Sequence, residues 1–225
     1  ILDNTIIVKQ VHNGFCRLYF MSFDENELIV SLNSLPKNVY VFNIPVRNEL
    51  GTWTAFVDKL KFKQYSKYYR YINVKIHEGL ELLKTIAGED DIIEEKSIRL
   101  CEKATVKDIE GIYDLLYSTF DIYTDYLPNY EGLTKLIEND GVYVNKQPDG
   151  TISGTIIFVY TGKKCYQNFW IDKSELGLYL MRKLYERMEK DQITMTNLWV
   201  AEWNKAVIKL QNNSTLFLVL NLSTK

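Results

Sequence analysis

The sequence predicts an α/β (α+β) protein built from two units, each a mixed central sheet flanked by helices. Three observations carry that prediction. Apolar residues switch repeatedly between alternation and helical spacing along the chain. The order of strands and helices near the N-terminus returns near the C-terminus. A composition of 46% hydrophobic and 25% charged residues over 225 positions suffices for one large core or two modest ones.

The C-terminal elements are read most directly. Thr105-Val106-Lys107-Asp108 has the pattern of a capping box, in which an acid reaches back to the amide that opens the helix. Ile109, Ile112, Tyr113, Leu116 and Phe120 then fall on one helical face, and Pro128 opens a second short helix with Leu133, Leu136 and Ile137 inward. The period changes after that. Val142 to Asn145, Thr151 to Tyr160 and Cys165 to Asp172 alternate as strands, joined by turns at Pro148-Asp149-Gly150 and Thr161-Gly162-Lys163-Lys164. A helix is expected from Ser174 to Lys190 on a stripe of Gly177, Leu180, Met181, Leu184 and Met188. Asn197 to Ala201 reads as a strand, Asn204 as the N-cap of a short helix, and Leu216 to Leu222 as a last strand.

The N-terminal part repeats the second half of that order. Thr5 to Val11 and Phe15 to Phe23 form a hairpin, Glu25 to Leu35 a helix and Val39 to Ile44 a strand. Thr52 to Leu60 follows as a helix and Phe62 to Ile76 as a long strand. Phe23-Asp24-Glu25-Asn26-Glu27-Leu28 lies against Ile171-Asp172-Lys173-Ser174-Glu175-Leu176 when the halves are superposed in sequence. Internal duplication accounts for the agreement. The boundaries are then 1–76 for a partial unit, 77–96 for an acidic connector and 97–225 for the more complete unit. Leu80, Leu82, Leu83 and Ile86 favour a connector that packs as a helix.

Composition excludes several classes. A formal charge of −2 argues against a nucleic-acid partner, since it provides no field that draws the whole chain to phosphate. Two histidines and three scattered cysteines argue against a metal centre and a disulfide scaffold. No apolar run approaches a membrane span, and Ile1-Leu2-Asp3 lacks the basic start of a signal peptide, so a cytoplasmic location without membrane partners is expected. One basic and aromatic stretch, Lys59 to Tyr71, is expected to be a strand with a solvated basic face.

Arg99 to Asp108, the Asp149-Gly150-Thr151-Ile152-Ser153-Gly154 hairpin and Leu198 to Asn204 resemble, in that order, the first strand and helix start, the second hairpin and the fifth strand of the GNAT superfamily of acyl-CoA-dependent N-acyltransferases. The N-terminal Leu60-Lys61-Phe62 sits where that family has Leu-Gly-Phe. The resemblance implies a tandem GNAT-like protein with a degenerate first copy. It also implies acetyl-CoA as co-substrate and a small amine, amino acid or amino sugar as acceptor. Two neighbouring parallel strands, ending near Ile171 and Val200, would part to receive the pantetheine arm along Phe169, Trp170 and Ile171. The pyrophosphate would sit at the helix start near Leu176, Gly177 and Leu178, with Asn204 as a further cofactor contact. Of the family's R/Q-x-x-G-x-G/A segment only Gly177 is kept, Asp172 and Glu175 replacing the first residue and a glycine.

Amine acylation needs a neutral amine, a donor for the developing oxyanion and a proton for the leaving thiolate. Glu202 and Asp172 are the candidate general bases. The phenol that the family places after the Asn-initiated helix is replaced by Gln211. Trp170, Trp199 and Trp203 are candidates for an acceptor pocket. Two alternatives stand beside the enzyme: an inactive GNAT-fold scaffold, and an aminoacyl-tRNA-dependent transferase suggested by the duplication and the basic strand.

Overall fold

A computed structural model of the chain describes residues 4–12, 14–46, 55–60, 62–87, 101–174, 177–210 and 215–223. The chain divides into two compact units.

The N-terminal unit contains β1 (Thr5–His12), β2 (Phe15–Ser22), α1 (Glu25–Asn33), β3 (Tyr40–Val46) and most of β4 (Lys63–Asn73). The end of the later strand β9 (Met195–Ala201), the short helix α6 (Lys205–Leu210) and most of β10 (Thr215–Ser223) also belong to it. Its strands run in the order β1-β2-β3-β10-β4. The sequence placed β10 with the C-terminal unit; it instead pairs antiparallel with β3, from Leu218↔Val46 to Ser223↔Val41. Strand pairing is non-local, so periodicity locates a strand without naming its partner. Asp24 caps α1 by accepting from the Glu27 amide at 3.1 Å. Leu28 and Leu32 of α1 bury against Leu18, Phe42 and Phe62 on one face of the sheet. Of the helix expected over Thr52–Leu60, residues 55–58 are helical and 52–54 lie outside the described residues.

The C-terminal unit opens with α2 (Ile76–Ala87), which takes the place of the connector's first half. β5 (Cys101–Lys103) and a 3₁₀ turn over Val106–Asp108 lead into α3 (Ile109–Thr119). α4 (Tyr130–Glu138), β6 (Val142–Lys146), β7 (Ile152–Thr161), β8 (Lys164–Asp172), α5 (Gly177–Lys190) and most of β9 follow. The strand order is β9-β8-β7-β6-β5, antiparallel except for the parallel β8–β9 pair.

Both faces of this sheet are covered. Ile112, Leu116, Leu133 and Ile137 of α3 and α4 pack with Val144, Ile157 and Phe169. On the opposite face Leu180, Leu184 and Met188 of α5 and Leu80 of α2 pack with Ile156, Phe158 and Cys165. Gly79 lets α2 approach α5: a Cβ there would lie 2.5 Å from the Tyr185 ring. Asn129, rather than Pro128, starts α4 by accepting from the Gly132 amide at 2.8 Å. Asp108 does reach back to the Thr105 amide at 2.7 Å, and Lys146 holds it at 2.9 Å.

Candidate active site

The C-terminal unit's β8 carries the feature that the sequence asked for. Its parallel ladder to β9 runs from Lys164↔Met195 to Gln167↔Leu198 and stops there among the described residues. The stop has a local cause. Ile157 pairs with Phe169 and Phe158 with Gln167, so Asn168 is an extra, unpaired residue. A β-bulge increases twist and ends pairing on the bulged strand. It also exchanges the faces: Cys165 packs under α5, whereas Phe169 packs under α3, 5.2 Å edge-to-face from Phe120.

Beyond the bulge β8 stays bonded to β7. The Lys173 amide donates to the Ser153 carbonyl at 2.8 Å, which fixes the alternation. Ile171 and Phe169 then direct their backbone groups to β7, and Trp170 and Asp172 direct theirs away from it, along the unladdered edge. The Trp170 indole Nε1 is buried and has no hydrogen-bond partner among the described residues.

The start of α5 is built on Asp172. One carboxylate oxygen accepts from Asn145 Nδ2 at 2.9 Å and from Ser174 Oγ at 2.7 Å, and the other from the Ser174 amide at 3.3 Å. Asn145 is fully buried and its Oδ1 accepts from the Cys101 thiol at 2.7 Å. A Cβ on Gly154 would lie 2.7 Å from an Asp172 oxygen, and one on Gly177 3.0 Å from the Asp172 Cβ. Glycine at both positions therefore admits this carboxylate to the helix start, where the dipole favours an anion. Asp172 thus anchors the turn that leads from β8 to α5. Leu178 follows Gly177 in the first turn of α5; Leu176 and Glu175 lie outside the described residues.

Glu202 and Asn204 fall in the N-terminal unit. Asn204 is an N-cap, its Oδ1 accepting from the Val207 amide at 3.2 Å. The Glu202 carboxylate accepts from Lys67 Nζ at 3.2 Å and from the Tyr69 hydroxyl at 3.1 Å. These two bonds, Lys67 first, hold the Glu202 carboxyl below its usual range and make it a weaker base. Lys67 and Tyr69 belong to the basic and aromatic stretch read from the sequence, but spacing did not join them to Glu202, which lies more than 130 residues away. Of the tryptophans named as acceptor-pocket candidates, Trp199 and Trp203 are 47% and 72% exposed.

The N-terminal unit shows a second, shorter parallel pair, β2 to β3, over Cys16↔Tyr40 and Arg17↔Val41. Phe20 of β2 there meets Phe42 of β3 at 5.2 Å, and Phe42 meets Phe62 at 4.8 Å. Aromatic rings fill the α1 side of that opening.

No protein-family model matches the chain. Its architecture, however, is found among solved structures. A GCN5-related N-acetyltransferase from Sphaerobacter thermophilus superposes with a TM-score of 0.62 at 8% identity, over 97% of this chain and 75% of that one. The fold is that of the GCN5-related N-acetyltransferases. A putative GNAT-family acetyltransferase from Novosphingobium aromaticivorans gives 0.53 at 13% identity, over 92% and 82%. A conserved Enterococcus faecalis protein described as a probable N-acyltransferase gives 0.53 at 8%; it is matched over 97% of this chain and 57% of its own length. In this GNAT fold β8 and α5 are the strand and helix on which the cofactor expectations fell. Among the described residues no group of three or more His, Cys, Asp or Glu could hold a metal ion, and no helix is long and apolar enough to cross a membrane.

Proposed function

We propose that the protein is an acyl-CoA-dependent N-acyltransferase of tandem GNAT build, with acetyl-CoA as the simplest co-substrate and a small amine as acceptor. The observation that carries the reading is the bulge at Asn168 with the ladder stop at Gln167↔Leu198. It leaves the amide and carbonyl of Trp170, and the amide of Asp172, on an edge that can pair with an amide-bearing arm. A polarised amide on that edge also serves the thioester oxygen as negative charge develops on it.

Both candidate carboxylates already hold hydrogen-bond partners. Asp172 is engaged by Asn145 and Ser174, and Glu202 by Lys67 and Tyr69. The acceptor therefore reacts as the free amine in solution equilibrium: its nitrogen attacks the thioester carbon and gives up a proton to water, while the C–S bond breaks and the thiolate takes a proton from water. The rate rises with pH until the acceptor's own ammonium has titrated. The N-terminal copy is a structural unit, since Phe20 and Phe42 fill its opening and Glu25 and Glu27 make its helix start acidic.

Calorimetric titration with acetyl-CoA tests the reading. Binding that Gly177→Trp abolishes supports it; no heat at millimolar ligand refutes it. The Asp172 carboxylate at the start of α5 favours one second reading, a GNAT-fold scaffold without catalysis. Silence with acetyl-CoA in a folded protein is its signature.

A further inference from the structure

The C-terminal unit holds a cleft at the far end of β7 from the Asp172 turn. Gly154 of β7 pairs with Asp172, and Tyr160 lies roughly 20 Å farther along the same strand. The cleft has a volume of about 490 Å³, within the range of small-molecule sites. Leu136, Phe158 and Val159 supply its apolar lining, and Asp140, Tyr160 and Arg187 its polar groups. Lys135 also lines it but is committed to Glu131 at 2.6 Å.

The cleft exists because β6 starts late. The last ladder pair between β6 and β7 is Val142↔Ile157. The Phe158 amide still donates to the Gly141 carbonyl at 2.9 Å. By alternation the amide and carbonyl of Tyr160 point to that same side, where β6 has not begun. The chain there is turning out of α4, with Asp140 in the left-handed region at φ 58°, a position that glycine takes more readily. A carboxylate is thus kept where the backbone gains nothing from it.

Three polar groups in the cleft have capacity left. The Tyr160 hydroxyl is buried and has no hydrogen-bond partner among the described residues, a state that lowers stability until a partner arrives. Asp140 Oδ2 accepts from Lys103 at 2.7 Å, while its Oδ1 has no partner among the described residues. Arg187 Nε donates to Asp191, but Nη1 stops 3.8 Å from Asp140 Oδ2, beyond hydrogen-bond reach. Burial, Cys165 and Asp191 raise the Tyr160 phenol and the Arg187 charge opposes them, so the guanidinium lies near the hydroxyl.

A guanidinium beside a carboxylate selects against a simple ion of either sign, because each would meet one like charge. A zwitterion answers both. We propose that the cleft binds a free α-amino acid with an aliphatic side chain, its carboxylate accepting from Arg187 and the Tyr160 hydroxyl and its ammonium donating to Asp140. The side chain then lies on Leu136, Phe158 and Val159. The proposal does not rest on the acyl-transfer reading.

Calorimetric titration of the whole chain with L-leucine, without acetyl-CoA, reads it out. Saturable heat is expected below about 10 mM. Isocaproate lacks the ammonium and isoamylamine lacks the carboxylate. Each is expected to bind at least about 10-fold more weakly, since each leaves one charge of the cleft unanswered. Asp140→Asn keeps the left-handed turn, which asparagine also tolerates, and is expected to weaken L-leucine binding about 10-fold. Tyr160→Phe is expected to weaken it similarly, and yet to raise the Tm of the ligand-free protein by about 2–4 °C, because an unanswered buried hydroxyl is removed. No heat with L-leucine at that limit, equal binding of either analogue, or wild-type affinity in Asp140→Asn and Tyr160→Phe each overturns the proposal. So does a Tm that falls in Tyr160→Phe, which would show the hydroxyl already satisfied.

Discussion

Asn145 is the buried hinge of the candidate site, and its replacement gives the most quantitative check on how that site is built. Its Nδ2 donates to Asp172 at 2.9 Å and its Oδ1 accepts from the Cys101 thiol at 2.7 Å, with no solvent exposure at the residue. Burial pushes the Cys101 thiol up to about 12, so at neutral pH it stays a neutral donor that needs this acceptor. Asn145→Ala removes a hydrogen bond to a carboxylate, about 1.5–3 kcal/mol, and strands the thiol above a small void. The loss should total roughly 2–4 kcal/mol, or about 5–15 °C in Tm for a chain of this size. Asn145→Asp goes further by setting a carboxylate against Asp172. One of the two must then hold a proton in the folded state, which raises the folded pKa of the pair above the unfolded value. The penalty is absent below the unfolded carboxylate range and grows as pH rises through it. Urea unfolding at about pH 4 and 7 measures both effects. A cost under about 0.5 kcal/mol for Asn145→Ala, or an Asn145→Asp penalty indifferent to pH, would refute this account of the turn.

Other perturbations follow from the same geometry. Burial raises the Asp108 carboxyl, but Lys146 and Thr105 outweigh it and the net shift is downward. Its stabilisation is present at neutral pH and is lost as pH falls through the folded pKa, so Asp108→Asn should cost about 1–2 kcal/mol at pH 7 and flatten the acid limb of a stability–pH curve. A Cβ on Gly79 would meet the Tyr185 ring at 2.5 Å. Gly79→Val should therefore lower stability by about 1–3 kcal/mol, and Tyr185→Ala should make the two changes non-additive in a double-mutant cycle. Leu80→Ala, at a residue 1% exposed between α2 and α5, should cost roughly 2–5 kcal/mol by chemical denaturation.

Much of the fold was legible because it is local. The stripes on α3 and α5, the meander from Val142 to Asp172 and the N-cap at Asn204 are all written in short-range spacing, and the structure carries them. The parallel stop between β8 and β9 was legible only through the resemblance. Its cause, the extra residue at Asn168, has no signature in composition or period. The site's carboxylates were found but their roles were not. Asp172 and Glu202 look alike in sequence as strand-end acids. What separates them from free bases is Asn145, 27 residues away, and Lys67, 135 residues away. β10 was placed with the wrong neighbours for the same reason, since a strand's alternation does not encode which edge it joins.

Backbone amide exchange along β8, followed by NMR with and without acetyl-CoA, tests the central claim most directly. Ile171 and Phe169 are bonded to β7 and should change little, while the amides of Trp170 and Asp172, directed to the unladdered edge, should become protected as the ligand's arm pairs with them. Unchanged exchange at Trp170 and Asp172 under millimolar acetyl-CoA, or protection confined to other strands, would contradict it.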